Sequence, residues 1–217
     1  SGNDERIKEQ FMIVKMCGIR REEDAAYADE VCPDYVGFVF ADSPRQVSVE
    51  EAVRFRKDLR KEIRCVGVFV NETPEKMAET AARVPLDALQ LHGDETEEDI
   101  RKLRSLCDKE IWKAARVKSA EDIQKVQMLP ADRILLDSFS KEAYGGTGRT
   151  IRLDILKEAE ITKPYFLAGG LNPENLKDIL DEIHPEGIDI SSGIETDGYK
   201  DLEKMKKIME IAGGNNG

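Results

Sequence analysis

Two side chains in this sequence could exchange protons with a bound molecule. Cys17 closes the run Lys15-Met16-Cys17, just before Gly18-Ile19, and Asp137 closes Arg133-Ile134-Leu135-Leu136-Asp137. A carboxylate ending an apolar strand is costly to bury unpaired, which puts Asp137 at a strand mouth. There it serves as a general acid if its pKa is raised, or else caps a helix or anchors a loop. Lys15 and Cys17 are two residues apart, so in a strand they share a face. The ammonium is then expected to lower the thiol pKa and supply a thiolate base or nucleophile. The competing reading of a free cysteine is a small buried apolar residue.

A second group of residues could hold an anion. Gly145-Gly146-Thr147-Gly148, Ala168-Gly169-Gly170 and Ser191-Ser192-Gly193 follow three successive apolar runs. Glycine lets backbone N–H groups approach a phosphate with no Cβ in the way. One such loop is an ordinary turn; three in succession favour phosphate binding. Ala143–Thr150 is not a nucleotide-triphosphate loop, because Ala143 and Arg149 stand where that motif needs Gly and Lys. Arg45, in Asp42-Ser43-Pro44-Arg45, could grip a carboxylate through two parallel hydrogen bonds or remain a solvated loop arginine. His92, in Gln90-Leu91-His92-Gly93, is either a hydrogen-bond donor at the mouth or a satisfied structural histidine. Trp112 reads as packing.

The elements that must position these groups are short. Eight apolar runs read as strands: Val14–Ile19, Tyr35–Phe40, Cys65–Val70, Ala88–His92, Ile111–Val117, Ile134–Asp137, Tyr165–Ala168 and Ile188–Ile190. Continuous apolar character suits parallel strands buried on both faces. Charged segments of helical period separate them. Ser48-Val49-Glu50-Glu51 and Thr96-Glu97-Glu98-Asp99 are helix starts, and Pro74 and Pro173 are expected in first turns, Pro173 with Asn172 as its N-cap. The last helix is expected from about Leu202 to Ile211. Eight strand–helix pairs without a linker predict an α/β fold, a (βα)8 TIM barrel, over residues 13–212. A doubly wound open sheet is the runner-up, but it places its glycine-rich turn after the first strand. Residues 1–12 read as a polar extension carrying a cleavage scar, and residues 213–217 as a tail.

Composition removes several functions. With 33 basic and 44 acidic residues, the net charge is −11, which repels nucleic acid but leaves room for a locally positive site. Cys17, Cys32, Cys65 and Cys107 lack CxxC spacing, and only His92 and His184 could join them, so no metal site is expected. Scattered cysteines suggest a reducing compartment, and no run is long enough to cross a bilayer. A cytoplasmic protein is expected, without a membrane or nucleic-acid partner.

Taken in order, these pieces resemble the phosphoribosylanthranilate isomerase family. The resemblance runs from about Val14 to Ile208 through Lys15-Met16-Cys17-Gly18-Ile19, Gly37-Phe38-Val39-Phe40, Ser43-Pro44-Arg45, Val66-Gly67-Val68-Phe69-Val70-Asn71, Gln90-Leu91-His92-Gly93, Leu136-Asp137, Tyr144-Gly145-Gly146-Thr147-Gly148, Leu167-Ala168-Gly169-Gly170-Leu171-Asn172-Pro173 and Asp189-Ile190-Ser191-Ser192-Gly193-Ile194-Glu195. It implies a (βα)8 barrel and the Amadori rearrangement of N-(5-phosphoribosyl)anthranilate in tryptophan biosynthesis. It makes Asp137 the general acid and Cys17 the general base. Arg45 would hold the anthranilate carboxylate, with His92 and Asp189 contacting or anchoring substrate. Gly146, Gly148, Gly169, Gly170, Ser191, Ser192 and Gly193 would hold the phosphate of the phosphorylated small-molecule substrate. No cofactor and no metal are implied, and the chain is expected to be a monomer or homodimer. After Gly148 the sequence departs from the family's usual Lys-Thr-Phe-Asp-Trp, reading Arg149-Thr150-Ile151-Arg152-Leu153.

Other barrel enzymes fit less well. The related rearrangement of histidine synthesis resembles a two-aspartate pair, whereas Cys17 ends the first strand here. Indole-glycerol-phosphate synthase would want a catalytic lysine and a longer N-terminal segment, and a metal-dependent pentose epimerase more histidines. A phosphate-binding barrel without turnover is the alternative of a different class.

Overall fold

The outward faces of the eight strands are apolar because each must pack under a helix, and the inward faces fill the space the strands enclose. The computed structural model describes residues 12–139 and 151–213. Strands β1 (Ile13–Cys17), β2 (Tyr35–Val39), β3 (Arg64–Phe69), β4 (Ala88–Leu91), β5 (Glu110–Arg116), β6 (Arg133–Asp137), β7 (Tyr165–Ala168) and β8 (Gly187–Ile190) form a closed parallel barrel in chain order. Around it lie α1 (Glu22–Val31), α2 (Val49–Asp58), α3 (Pro74–Arg83), α4 (Glu97–Leu106), α5 (Ala120–Gln127), α6 (Leu153–Glu158), α7 (Leu176–Glu182) and α8 (Leu202–Ala212). This is the expected (βα)8 barrel. A short antiparallel pair, β9 (Glu195–Thr196) and β10 (Tyr199–Lys200), is inserted between β8 and α8. Among the described residues no helix is long and apolar enough to cross a membrane.

Local signals set the helix starts. Ser48 Oγ accepts from the Glu51 N–H at 3.1 Å, and Thr96 Oγ1 accepts from Asp99 N–H at 3.3 Å. Thr73 caps α3 with Pro74 in its first turn. The expectation at Asn172-Pro173 is corrected. Asn172 Oδ1 accepts from the N–H groups of Glu174 and Asn175, both at 2.9 Å, and so closes a turn. Helix α7 begins after that turn, at Leu176. Strand β1 ends at Cys17 rather than Ile19, because Gly18, at φ +89°, swings the chain away. The N–H groups of Gly18 and Ile19 both reach Gly37 O.

The barrel holds two apolar regions. One lies between strands and helices; the other fills the interior with Tyr35, Val66, Ala88, Trp112, Ala114, Leu135, Phe166 and Ala168. Tyr35, Trp112 and Phe166 pack edge to face or tilted, with centroids 5.1, 6.1 and 4.8 Å apart. Such contacts add to the area these rings bury. Arg133 lies over Trp112 and Phe166, donates to Tyr35 Oη at 3.1 Å, and pairs with Glu110 and Glu186. This plug fills the N-terminal end of the barrel interior.

Replacing Trp112, which is fully buried, with alanine is expected to cost about 3–5 kcal/mol of stability. Urea denaturation reads that cost, and a loss under about 1 kcal/mol would mean the plug is not what holds the interior.

Candidate active site

Alternation along each strand decides what faces the interior. On β1 it is Ile13, Lys15 and Cys17, and on β8 it is Asp189. Lys15 and Asp189 are register partners across the β1–β8 pair. Lys15 is fully buried, and its Nζ meets Asp189 Oδ2 at 2.8 Å. Burial works against the ammonium, but the Asp189 carboxylate and Cys17 together outweigh it and hold the Lys15 pKa above its ordinary value. Among the described residues, Asp189 Oδ1 has no hydrogen-bond partner.

Above this pair lies a cavity of about 230 Å³ at the C-terminal ends of the strands. The structure brings together around it every expected site residue among those described: Cys17, Arg45, His92, Asp137, Gly169, Gly170, Asp189, Ser191, Ser192 and Gly193. Gly146 and Gly148 lie outside the described residues.

Cys17 and Asp137 end β1 and β6, with β7 and β8 between them. They approach the cavity from different directions. Burial pushes the Cys17 thiol up, Lys15 and Lys200 pull it down, and Asp189 pushes it up again. The net direction is upward. This corrects the expectation from the Lys15-Met16-Cys17 spacing that the neighbouring ammonium would lower the thiol overall. Lys15 does act in that direction, but its charge is already shared with Asp189, and desolvation of a thiolate is the larger effect. The Asp137 carboxylate accepts from Phe139 N–H at 3.3 Å. It rests against Gly169, at φ +95°, where an added Cβ would stand 2.3 Å from Asp137 Oδ1.

Arg45 reaches the cavity from the loop after β2. Its Nε and Nη2 donate to Glu195 Oε2 and Oε1 at 2.9 and 2.6 Å, the two-bond fork expected for a carboxylate. The partner is internal, and Glu195 also pairs with the buried Lys200 at 2.9 Å. Burial works against the Glu195 charge, yet Arg45 and Lys200 outweigh it and hold the carboxyl below its ordinary range. A bound carboxylate would therefore have to use the edge of Arg45 that carries Nη1. Sequence reasoning missed the roles of Glu195 and Lys200. Glu195 closes the last family motif, but its partner Arg45 lies 150 positions away.

His92 Nδ1 lies 2.9 Å from Gln90 Nε2. Burial lowers the His92 pKa, with Asp137 opposing, so the ring is neutral at neutral pH. With the Gln90 amide as donor, the ring proton sits on Nε2. The loops after β7 and β8 are interlocked: a Cβ on Gly193 would fall 1.7 Å from Leu171 O. Lys200 Nζ donates to Ser191 O at 3.1 Å and pins the second loop. Asn71 and Arg116 line a wider crevice beside the cavity instead. There Asn71 joins two loops, accepting from Asp94 N–H at 2.7 Å. Trp112 belongs to the interior plug, as expected. Among the described residues no three His, Cys, Asp or Glu side chains are placed to hold a metal ion.

A family model described as N-(5'phosphoribosyl)anthranilate (PRA) isomerase matches residues 14–211. The chain is 46% identical over 201 residues to N-(5'-phosphoribosyl)anthranilate isomerase of Thermoanaerobacter sp. (strain X514), covering 93% of this chain and 98% of that one. The crystal structure of phosphoribosyl anthranilate isomerase from Thermotoga maritima superposes with a TM-score of 0.81 at 38% identity, covering 93% and 98% of the two chains. A solved phosphoribosyl anthranilate isomerase in complex with reduced 1-(o-carboxyphenylamino)-1-deoxyribulose 5-phosphate gives 0.80 at 37%, with the same coverage. The barrel, the cavity at its open end and these matches agree: the chain belongs to the N-(5'-phosphoribosyl)anthranilate isomerase family.

Proposed function

We infer that this chain is an isomerase of tryptophan biosynthesis, converting N-(5-phosphoribosyl)anthranilate to 1-(2-carboxyphenylamino)-1-deoxyribulose 5-phosphate by general acid–base catalysis. The observation that carries the reading is one cavity lined by a thiol, a carboxyl and the glycine–serine loops after β7 and β8. The family and its relatives support the reaction; the cavity supports the assignment of roles.

Asp137 gives a proton to the ribose ring oxygen as the C1–O bond breaks and a Schiff base forms. Cys17 then removes the proton from C2, and the C2–H electron pair moves to form the enolamine, neutralising the iminium nitrogen. Tautomerisation to the ketone completes the shift. The thiol is protonated at rest, because burial raises its pKa. The reacting form is the thiolate, its proton released to solvent, and Lys15, Lys200 and the iminium cation favour that form over the thiol. No electron leaves the substrate, so the chemistry calls for no cofactor. The loops after β7 and β8 hold the 5-phosphate, and fixing that end limits the motion of the reacting carbons. Arg45 faces the anthranilate carboxylate, and the neutral His92 ring offers a hydrogen-bonding group at the mouth. Its partner in solution is this phosphorylated small molecule, and the assembly is a monomer or homodimer; one solved relative from Thermotoga maritima is described as dimeric.

Cys17→Ser and Asp137→Asn are each expected to lower turnover by on the order of 10²-fold or more. Fluorescence decay of phosphoribosylanthranilate measures turnover, and titration with the reduced product analogue should show binding retained. Activity near the parent's in either variant would remove that residue from the acid–base pair. Alkylation of Cys17 should keep accelerating with pH beyond the ordinary thiol midpoint of about 8.5. Lys15→Met takes away a charge that favours the thiolate, so the alkylation profile should move to still higher pH; coincident profiles would show that Lys15 does not act on the thiol.

A further inference from the structure

Gly37 lies in the middle of β2 and is the register partner of Cys17. It belongs to the inward set Tyr35, Gly37 and Val39. An ideal Cβ built on it would stand 2.5 Å from Cys17 Sγ, and 3.2 Å from both Cα and Cβ of Cys17. Carbon and sulfur do not approach that closely without displacement, since non-bonded contacts settle near 3.5–4.0 Å. The space a side chain would fill at this position is taken by the thiol.

The backbone offers no other reason for glycine. The positive-φ glycines described are Gly18, Gly169, Gly170 and Gly198, and Gly37 is not among them. Glycine inside a strand weakens it and marks a close approach of another group. Asp137 and Arg45 are seated in the same way, against Gly169 and Gly18, where a Cβ would meet Asp137 Oδ1 at 2.3 Å and Arg45 Cδ at 2.6 Å. Those two glycines have φ of +95° and +89°, so replacing either would strain the chain whatever its neighbour did. Gly37 alone separates the seat from the backbone.

We propose that Gly37 is a positioning residue for the reaction: its missing side chain is the slot that holds the Cys17 sulfur in line with the substrate carbon it deprotonates. A methyl group there drives Sγ to another staggered rotamer, which displaces it by roughly 3 Å. The inference rests on reading Cys17 as the base.

The experiment compares Gly37→Ala with Gly67→Ala. Gly67 lies on β3, and its Cβ would meet Leu86 Cδ1 at 2.5 Å and Phe69 Cε2 at 2.9 Å, neither of them a group of the site. Steady-state kinetics, the pH profile of Cys17 alkylation and urea stability are measured for both, and stability also for Cys17→Ala and the Cys17→Ala/Gly37→Ala double variant. Gly37→Ala is expected to lower kcat at least ~10-fold while KM changes little, because misplacing a reacting group by about 1 Å can cost 10²-fold. Its alkylation profile should be displaced from the parent's, whereas Gly67→Ala should keep the parent's profile and kcat. In the Cys17→Ala background, the Gly37 substitution should cost markedly less stability, since the sulfur it would strike is gone. If Gly37→Ala does not fold, recovery of folding in the double variant supports the slot. Failure of both to fold overturns it, as does a folded Gly37→Ala with kcat within about twofold of the parent. Retained activity in Cys17→Ala would instead defeat the assignment of the base, while the stability cycle still reports on the slot.

Discussion

The ion pair between Lys15 and Asp189 lies where β1 meets β8 and the barrel closes. Both charges are withdrawn from water, and neither could remain there alone. A slip of one residue at this seam would turn Lys15 outward into the apolar shell under the helices and leave Asp189 unpaired. Register at the closure thus has an electrostatic enforcer. Two residues further along come Cys17, at the end of β1, and Ser191, just past β8, so the pair that fixes the seam also fixes how the thiol stands against the loop after β8.

Charge at the open end is organised around the same seam. Glu195 joins Arg45 to Lys200, and Lys200 in turn holds Ser191 O. A chain with a net charge of −11 thereby keeps two cations at one side of its cavity. The acid opposite them is seated on a glycine and, among the described residues, accepts an N–H bond from Phe139. Rigid elements carry the groups that must not move, and the carboxylate fork keeps Arg45 from lying back on the surface.

Much of this was legible in the residues. All eight strands were, because parallel strands buried on both faces leave continuous apolar runs. Ser48 and Thr96 announced their helices, because capping is a three-residue interaction. Asn172 misled because an Asx turn and an N-cap use the same side chain and the same short reach. The sign of the Cys17 shift was not legible. Lys15 is visible two positions away, but the burial that outweighs it and the Asp189 that occupies it belong to the closed barrel. The Arg45–Glu195 fork was hidden for the same reason, since nothing local to either residue names the other. Gly37 opens one of the segments shared with the family, but the reason for a glycine there was hidden until its neighbour across the sheet was known.

The contact between Gly193 and Leu171 has a consequence for how such a protein can be altered. With a carbonyl oxygen lodged where a side chain would be, the loops after β7 and β8 form a single interlocked part. Neither can be lengthened, exchanged or grafted without refitting the other. Arg45 and His92, from the ends of β2 and β4, reach the same cavity as separate side chains. The molecule is divided into a fixed handle and an adjustable jaw, so new substrates would be sought by changing the jaw while the handle is kept whole.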